Sequence, residues 1–463
     1  MVAAALALSA QSRFTPGVKP FVSVDEPVVA LQHIRVIDGT GAAPLEDQTL
    51  VIDHGTIASV GKSAPPAGSR VLDLTGATVI PGLVGMHEHL FYPSGGGIPM
   101  YNEHAFSFPR LYLAAGVTTA RTAGSLEPYT DLNIKRLIDE GKMPGPDLFV
   151  TGPYLEGPGS FAAQMHELTG PEDAVRTVDY WAAEGVTSFK AYMNITRAEL
   201  RAAVDAAHRH NIKVTGHLCS VGFREAAAIG IDNLEHGLAV DTEFHAGKRP
   251  DICPPQAVTR AELPALDLNS APVRDMIADL VAHHVAITST LAVFEAFDGG
   301  RPPLEQRFLD AVNPEAAISY LSSRARARTG PDSPMLGLLK KEMAFELAFV
   351  RAGGLLLQGA DPTGNGGALA GFADQRDIEL LVEAGFTPLE AIRIATANGA
   401  EFLGESKRIG TIAPGKQADL VVLDGNPVAR IEDIEKVRMV FRKGVGYDPA
   451  KLLESVRGAA GIH

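Results

Sequence analysis

The sequence predicts an α/β protein with a (β/α)8 TIM barrel at its centre and a small β-sandwich domain built from both chain ends. Short apolar, strand-like segments alternate with helical segments through the middle of the 463-residue chain, which is typical of parallel βα units. Both ends of the chain instead contain strand patterns separated by turns rich in Gly and Pro. Residue types that bind metals recur at the ends of the central strands, where barrels of this kind keep their active sites.

The chain divides into four predicted segments. Residues 1–25 form an N-terminal tail or a signal-like segment, because AAALALSA resembles the apolar core of a secretory signal with a cleavage site near Ala10. This pattern favours a periplasmic or secreted location over a cytoplasmic one, and a disordered tail is the alternative. Residues 26–84 and 401–463 are the two parts of the β-sandwich, and residues 85–400 are the barrel.

Eight apolar segments are the candidate barrel strands. They are VIPGLVGMHEH, GVTTART, DLFVTGP, VTSFKAY, IKVTGHL, IDNLEHG, VAITSTL and GLLLQGAD. Helical segments lie between them, and one of these has Thr196 and Glu199 at the spacing of a capping box. The connections over 236–285 and 290–335 are long and leave the C-terminal ends of strands, so we expect them to be lids or specificity loops.

Composition excludes several classes of partner. The chain has 41 basic and 55 acidic residues, a formal charge of −14, and no basic stripe that would favour nucleic acid. No apolar run approaches the roughly 20 residues needed to span a bilayer, so we expect no membrane partner. Cys219 and Cys253 form no CxxC motif and are too few for a disulfide framework.

His87 and His89 are the first candidate metal ligands. Residues i and i+2 of a strand point to the same face, so both imidazoles of this HxH pair can reach one ion. Such a pair is often a chance pair of core or surface histidines. Here the pair follows the apolar PGLVGM at a strand end, which favours ligands.

Lys190 is the most informative single residue. It lies in VTSFKAYM, which reads as an interior strand, and lysine is almost never fully buried unless it is paired. An ordinary buried ion pair is one explanation. The other is a carbamate formed from CO2 on the amine, which is anionic and has two oxygens that can bridge two cations.

Three further candidates follow in chain order at the ends of later strands. They are His217, His236 and Asp361. Each histidine alone is more often a hydrogen-bonded core residue, and the aspartate alone is more often a backbone cap. The prediction of a two-metal site therefore depends on all six residues occurring in order, with one per strand apart from the HxH pair.

Other residues are candidates for contact with a substrate. Tyr192 shares a strand face with Lys190 and is placed to donate to a substrate carbonyl or simply to pack. His166 follows the third strand and is a second candidate, although a histidine on a surface helix explains it equally well. Arg121, near the end of the second strand, is interpreted as structural.

The order HxH, Lys, His, His, Asp on βα units closely resembles the amidohydrolase superfamily. The similarity continues in Ala77–His89, in Ile409–Pro427, and in GVTTART and IATANGAEFLG, and it covers nearly the whole chain from about residue 28. The chain looks most similar to the branch with imidazolonepropionase-related proteins, Xaa-Pro dipeptidases and ochratoxin-type amidases. Imidazolonepropionase lacks the bridging lysine, so Lys190 argues against that activity. The residues around this lysine and Thr122 depart from the dipeptidase pattern.

The resemblance implies a role for each ligand. His87, His89 and Asp361 would hold the more buried ion, His217 and His236 the more exposed one, and the carboxylated lysine would bridge them. Asp361 would also take a proton from the bridging water and pass it to the leaving group. Nitrogen and oxygen ligands without thiolates suit two Zn²⁺ ions, although Mn²⁺, Co²⁺ or Fe²⁺ also fit.

These features predict a binuclear metal-dependent hydrolase that cleaves an amide C–N bond. The expected substrate is an N-acyl amino acid, a dipeptide or a similar small amide, and the expected assembly is a homo-oligomer. Hydrolysis of a cyclic amide, lactone or carbamate on the same metals is the alternative. A non-catalytic scaffold is the third possibility, and it is disfavoured because such proteins typically lose metal ligands, whereas all six are present here.

Overall fold

The structure is a computed structural model that describes residues 14–94, 100–301, 303–327, 333–363 and 367–461. The AAALALSA segment and the expected cleavage site near Ala10 lie outside these residues. Among the described residues, no helix is both long and apolar enough to cross a membrane.

Twenty strands are present in the described part of the chain. They are β1 (Val22–Val24), β2 (Val28–Val36), β3 (Leu45–Asp53), β4 (Thr56–Gly61), β5 (Arg70–Asp73), β6 (Ala77–Pro81), β7 (Leu83–Glu88), β8 (Phe91–Ser94), β9 (Met100–Glu103), β10 (Val117–Thr122), β11 (Asp147–Phe149), β12 (Thr151–Leu155), β13 (Ser188–Ala191), β14 (Lys213–Gly216), β15 (Asn233–Glu235), β16 (Ala286–Ser289), β17 (Leu356–Gln358), β18 (Leu420–Asp424), β19 (Val437–Arg442) and β20 (Val445–Tyr447).

Fifteen α-helices are present in the same described ranges. They are α1 (Phe108–Ala114), α2 (Pro128–Asp139), α3 (Pro171–Glu184), α4 (Arg197–Arg209), α5 (Phe223–Ile229), α6 (Gln256–Glu262), α7 (Ala271–Ala282), α8 (Leu291–Glu295), α9 (Gln306–Ala311), α10 (Pro314–Arg326), α11 (Pro334–Arg351), α12 (Phe372–Glu383), α13 (Pro388–Arg393), α14 (Gly399–Phe402) and α15 (Pro449–Ser455).

The middle of the chain forms parallel sheets with helices between successive strands. One sheet has the order β11-β10-β7, and the other runs β12-β13-β14-β15-β16-β17. Each of the eight predicted strand segments contains one of these strands, and only Val150 separates β11 from β12. The backbone N–H of Asp361, just beyond β17, donates to the carbonyl of His87 in β7 at 2.9 Å, so the last strand position lies next to the first. The predicted mixed α/β fold with parallel strands is therefore confirmed.

Both chain ends contribute to one nine-stranded sheet. Its order is β1-β20-β19-β18-β6-β2-β3-β4, and β5 pairs with β2. The N-terminal and C-terminal parts meet where β6 and β18 pair antiparallel, with Ile80 opposite Val421. Apolar side chains of this sheet, such as Leu31 and Phe441, form a core cluster of their own. A two-layer sandwich stays a prediction.

Part of the segment predicted as a tail is folded. Val22 lies opposite Tyr447 in the antiparallel pair of β1 and β20, and Val18 is buried. No sequence pattern indicated this strand, because three residues are too few to show a periodicity, and the strand is stabilised by its partner.

Helix α4 begins where the local sequence predicts. The side chain of Thr196 accepts a hydrogen bond from the backbone N–H of Glu199. The side chain of Glu199 in turn accepts one from the backbone N–H of Thr196, which completes the predicted capping box of α4. The sequence did not predict how the two cysteines are arranged. Cys219 and Cys253 are joined by a disulfide, because the long connection after β15 returns to the segment after β14. The two cysteines are 34 residues apart in sequence, and this separation does not indicate that the connection folds back toward Cys219.

Candidate metal centre and active site

The ends of the parallel strands bring the six predicted ligands together. His87 lies within β7 and Lys190 within β13, whereas the others follow their strands directly or within a few residues. These others are His89 after β7, His217 after β14, His236 after β15 and Asp361 after β17. Carboxyl ends of parallel strands share one edge of a sheet, so the sequence pattern and the fold converge on one place.

His87, His89 and Asp361 form a compact three-residue group. Oδ1 of Asp361 lies 3.5 Å from Nε2 of His87 and 3.3 Å from Nε2 of His89. One ligand atom from each of the three buried residues lies within 4.8 Å of the other two. That spacing suits a single divalent ion, and the HxH prediction that both rings reach one point agrees with this geometry.

The pKa values of these residues match the requirements of ligands. Burial lowers the pKa of His89 to about 4, so its imidazole is neutral at pH 7. Burial alone would raise the pKa of Asp361, but the neighbouring His87 and His89 outweigh it and hold that pKa well below 3.8. A neutral imidazole and an ionised carboxylate are the forms that bind metals.

Two of the predicted ligands have unusual backbone conformations. His236 has φ +68° and Asp361 has φ +45°, in the left-handed region that non-glycine residues rarely adopt. Hydrogen bonds hold both residues there, since the N–H of His236 donates to the carbonyl of Thr288 at 3.0 Å and that of Asp361 donates to His87. Such outliers concentrate at functional sites, where the surrounding structure fixes them.

Lys190 is buried without a carboxylate partner in the described part of the chain. Its side chain is 1% exposed, and its Nζ lies 3.1 Å from Nε2 of His87. Burial lowers the pKa of this ammonium to about 8. No carboxylate oxygen of the described residues lies within ion-pair distance, which disfavours the ordinary ion pair considered above. The neutral amine is the form that reacts with CO2, and the lowered pKa makes this form easier to reach.

His217 and His236 lie beside this group. Their ring centroids are 4.4 Å apart, and the His87 and His236 centroids are 4.5 Å apart. Burial holds the pKa of both His217 and His236 well below 6.5, so both rings are neutral. Nδ1 of His236 lies 2.8 Å from Oγ1 of Thr290, which leaves the opposite ring nitrogen available.

The donor set fits divalent metal ions. Nε2 of His217 is buried and has no hydrogen-bond partner among the described residues. A buried nitrogen without a partner carries a desolvation penalty of about 1–3 kcal/mol, which a bound ion would remove. The nitrogen and carboxylate donors present are those that Zn²⁺ and similar ions prefer.

Glu235 and Arg121 lie behind the predicted ligand His87, and the sequence did not single out Glu235. Oε2 of Glu235 lies 2.7 Å from Nδ1 of His87, and its Oε1 lies 2.6 Å from Nη2 of Arg121. Burial alone would raise the pKa of Glu235, but Arg121 and His87 hold it well below 4.5. The carboxylate therefore accepts from Nδ1 and directs Nε2 of His87 toward the site. An acidic residue in the apolar NLEHG strand was the available signal.

A cavity of about 370 Å³ opens onto the predicted ligands. Lys190, Asp361, Tyr192 and three of the histidines line it. Its walls are rich in aromatic side chains, which are Phe91, Tyr101, Tyr154, Phe161, Tyr192 and Phe297. Gln256 and Arg260 of the first long connection and Phe297 of the second also line it, as expected for specificity loops.

His166 does not take part in this cavity. Its Nε2 lies 3.1 Å from Asp173 at the start of α3, and its side chain is 54% exposed. The neighbouring Met165 lines the cavity instead. The expectation that His166 contacts substrate therefore needs correction, because a loop without periodicity does not reveal which of two adjacent side chains points inward.

Comparisons with known proteins agree with the geometry. A family model described as "Amidohydrolase family" matches residues 364–445. Ochratoxinase from Aspergillus niger is 23% identical over 90% of this chain and 86% of its own, and D-hydantoinase from Streptomyces coelicolor is 25% identical over 81% of each. The solved structure of a Xaa-Pro dipeptidase with bound methionine matches with a TM-score of 0.67 and 20% identity, over 91% of this chain and all of its own. The predicted resemblance to amidohydrolases and the prediction of an amidohydrolase-type enzyme are confirmed by this family match and these relatives.

Proposed function

We propose that this protein is a binuclear metal-dependent hydrolase that cleaves an amide C–N bond of a small substrate. The observation that supports this most directly is the convergence of His87, His89 and Asp361 on one point beside the buried amine of Lys190. These side chains line or underlie a cavity large enough for a small molecule.

The proposal includes the finer architecture. We take the parallel sheets to be one closed (β/α)8 barrel over residues 85–400, supported by the hydrogen bond that links the residue after β17 to β7. Residues 26–84 and 401–463 would form the β-sandwich around the core of the nine-stranded sheet. A homo-oligomer is proposed as well, and light scattering of the purified protein tests it.

Each proposed ligand has a distinct place. His87, His89 and Asp361 would hold the more buried ion, and His217 and His236 the other. Lys190 would carry a CO2-derived carbamate between them, which its depressed pKa and its lack of an ion-pair partner in the described structure favour. Zn²⁺ is the ion that the nitrogen and oxygen donors suit best. Two bound ions would lower the pKa of the attacking water and polarise the scissile carbonyl.

Asp361 is the proposed general base and acid. Its carboxylate is ionised and is held beside His87 and His89, which suits it to accept a proton from the attacking water. It would then deliver this proton to the leaving nitrogen, because an amine leaves only after protonation. Tyr192, on the same strand face as Lys190, is placed to donate from its hydroxyl to the substrate carbonyl. The aromatic walls would exclude water around these groups.

The relatives guide the choice of substrates. The names ochratoxinase, D-hydantoinase and Xaa-Pro dipeptidase belong to those proteins, and together they favour linear or cyclic amides for this chain. A linear amide is the leading candidate. A cyclic amide is the second, because the D-hydantoinase relative matches over most of both chains. A scaffold without activity is disfavoured, since all six proposed ligands are present and five of them are buried.

A hydrolysis screen tests the proposed function. The zinc-loaded protein would be assayed against N-acyl amino acids, dipeptides, hydantoins, lactones and carbamates, with amine or acid release measured by mass spectrometry. We expect turnover of amides, and Asp361→Asn should abolish most of it. Turnover of lactones alone, or equal amide turnover by Asp361→Asn, would contradict the proposal.

A further inference from the structure

Arg260 is a partly buried cation with no partner in the described structure. It lies on α6 and lines the cavity together with the proposed metal ligands. Its Nε is buried without a hydrogen-bond acceptor, and no carboxylate of the described residues lies within ion-pair distance of its guanidinium. Among the buried arginines, Arg121 pairs with Glu235 and Arg442 pairs with Asp147, whereas Arg110 donates to the backbone carbonyl of Phe106.

A partly buried guanidinium without an acceptor is unfavourable unless a ligand supplies the acceptor. A guanidinium carries five N–H donors and no acceptor, and an unpaired charge out of water is costly. The ring of Phe297 lies 5.9 Å from the guanidinium carbon, at the outer limit of a cation–π contact, and it satisfies none of the donors. Burial accordingly lowers the pKa of Arg260 from its ordinary value. The missing partner is an anion that enters the cavity.

The position of Arg260 would place such an anion close to the scissile bond of a bound substrate. Arg260 lines the same cavity as His217 and Lys190, so it lies near the proposed metal centre. Gln256, one helical turn earlier on α6, donates from Nε2 to the sulfur of Met193 at 3.5 Å, which docks this helix against the segment after β13. An anion bound by Arg260 would therefore sit on the same small substrate as the scissile amide.

The disulfide fixes this arrangement. Cys253 lies three residues before α6, and its partner Cys219 lies two residues after His217. The covalent link ties the helix that carries Arg260 to the strand end that carries a proposed metal ligand. A receptor held at a set distance from the reacting centre selects substrates by the spacing between their anion and their amide.

We propose that Arg260 is the receptor for a carboxylate on the substrate, so that the preferred substrates are amides with a carboxylate close to the scissile C–N bond. The planar guanidinium fork matches a carboxylate with two parallel hydrogen bonds. The aromatic walls beside it would hold an apolar substituent. This inference rests on the proposed function and narrows its substrate class.

A matched pair of substrates tests it. N-acetyl-L-phenylalanine and N-(2-phenylethyl)acetamide have the same acetamide and phenyl group, and only the first has a carboxylate. We expect Arg260→Gln to lower kcat/KM for the acid by about 10- to 150-fold, mostly through KM, because hydrogen bonds to charged groups contribute about 1.5–3 kcal/mol. The neutral amide should change by less than about threefold. Arg260→Lys should restore part of the preference, since it retains the charge.

Controls separate binding from folding. Arg249→Gln removes the same charge from an exposed residue outside the cavity in the same connection and should leave both substrates unaffected. Arg260→Gln should keep or raise the melting temperature, because it removes an unpaired cation. A clear fall in melting temperature, with no change in the ratio of acid to neutral activity, would assign Arg260 a structural role and overturn the inference.

A binding measurement keeps this test independent of turnover. Calorimetry with 3-phenylpropionate and its neutral amide should show that wild type prefers the anion and that Arg260→Gln loses the preference. Turnover of amides with an unchanged acid preference in Arg260→Gln would overturn this inference and leave the proposed function standing. Loss of 3-phenylpropionate binding in Arg260→Gln, together with no amide turnover by wild type, would overturn the proposed function alone.

Discussion

Nδ1 of His87 lies 2.7 Å from Oε2 of Glu235, and both side chains are fully buried. Glu235 is the last residue of β15, and the next residue is His236, a proposed ligand for the second ion. One short strand therefore contacts a proposed ligand of one ion and is followed directly by a proposed ligand of the other. Arg121 neutralises the carboxylate from the opposite side at 2.6 Å.

Glu235→Gln should weaken metal binding and destabilise the protein. The amide cannot provide a charged acceptor for His87, and loss of such outer partners typically weakens metal affinity by about 10- to 100-fold. The variant also leaves Arg121 buried without its counter-charge, which typically costs about 3–5 kcal/mol. Chelator competition measures the zinc affinity, and urea unfolding measures the stability.

A double variant separates these two effects. Arg121→Met in the Glu235→Gln background removes the unpaired cation, so stability should recover in part while zinc affinity stays low. Glu46→Gln, which breaks an exposed ion pair with Arg35, is the control and should change neither quantity appreciably. Recovery of full zinc affinity in the double variant would remove Glu235 from its supporting role.

Lys190→Ala should lose metal and activity together. If the bridging group is an anion and not the amine itself, acetate or propionate should restore part of both. Lys213→Ala is the matched control, since Lys213 starts the adjacent strand β14 and does not line the cavity. Normal metal content and turnover in Lys190→Arg would rule out the carbamate, because the guanidinium cannot form it.

Asp361→Asn should separate binding from chemistry. Asparagine keeps the shape and one oxygen but cannot accept a proton, and general acid–base assistance typically contributes about 10²–10⁴-fold to rate. We expect kcat to fall by at least that factor while a substrate analogue binds with near-normal affinity. Asp241→Asn, at another buried aspartate beyond β15, is the control, because burial raises the pKa of Asp241 to about 7 and the neutral form is already tolerated. A kcat within a few-fold of wild type would exclude Asp361 as the base.

The sequence predicted the parts of the site that follow from strand periodicity. His87 and Lys190 lie within apolar strands, and His217 and Asp361 lie just beyond them, so alternation and strand order were enough to group them. The coarse α/β architecture followed from the same alternation. These features depend on local pattern, which a single sequence contains.

The sequence did not predict features that depend on how distant segments meet. Glu235 supports His87 across 148 residues of chain, and the pair of Cys219 and Cys253 depends on the path of a long loop. The inward direction of Arg260, and the outward direction of His166, are likewise set by loop conformation. No periodicity constrains side-chain direction in such loops, so only the folded structure reveals it.

Asp147 should make the protein sensitive to acid. Burial alone would raise the pKa of this carboxyl, but the charges of Arg442 and Lys443 outweigh it and lower the pKa to about 2. These contacts join β11 to β19 and the residue after it, and Nζ of Lys443 lies 2.7 Å from Asp147. A depressed carboxyl pKa stabilises the fold above pH 3.8, its ordinary pKa, and this contribution disappears as pH falls toward about 2. The shift corresponds to about 2 kcal/mol.

Asp147→Asn therefore should reduce the free energy of unfolding by about 2 kcal/mol at pH 7, and the difference from wild type should vanish near pH 2. Chemical denaturation at a series of pH values measures this. Asp424→Asn is the control, since its carboxylate is 61% exposed and lies 3.6 Å from Arg438, and it should change stability by less than about 0.5 kcal/mol. A difference between Asp147→Asn and wild type that does not vary with pH would show that the charge is not responsible.

Metal stoichiometry against activity tests the central claim most directly. The metal-free protein would be titrated with Zn²⁺ while bound zinc per chain and amide hydrolysis are measured on the same samples. The account predicts no hydrolysis without metal and a plateau of activity at close to two ions per chain. Full activity at one ion per chain, or hydrolysis by the metal-free protein, would contradict the binuclear site.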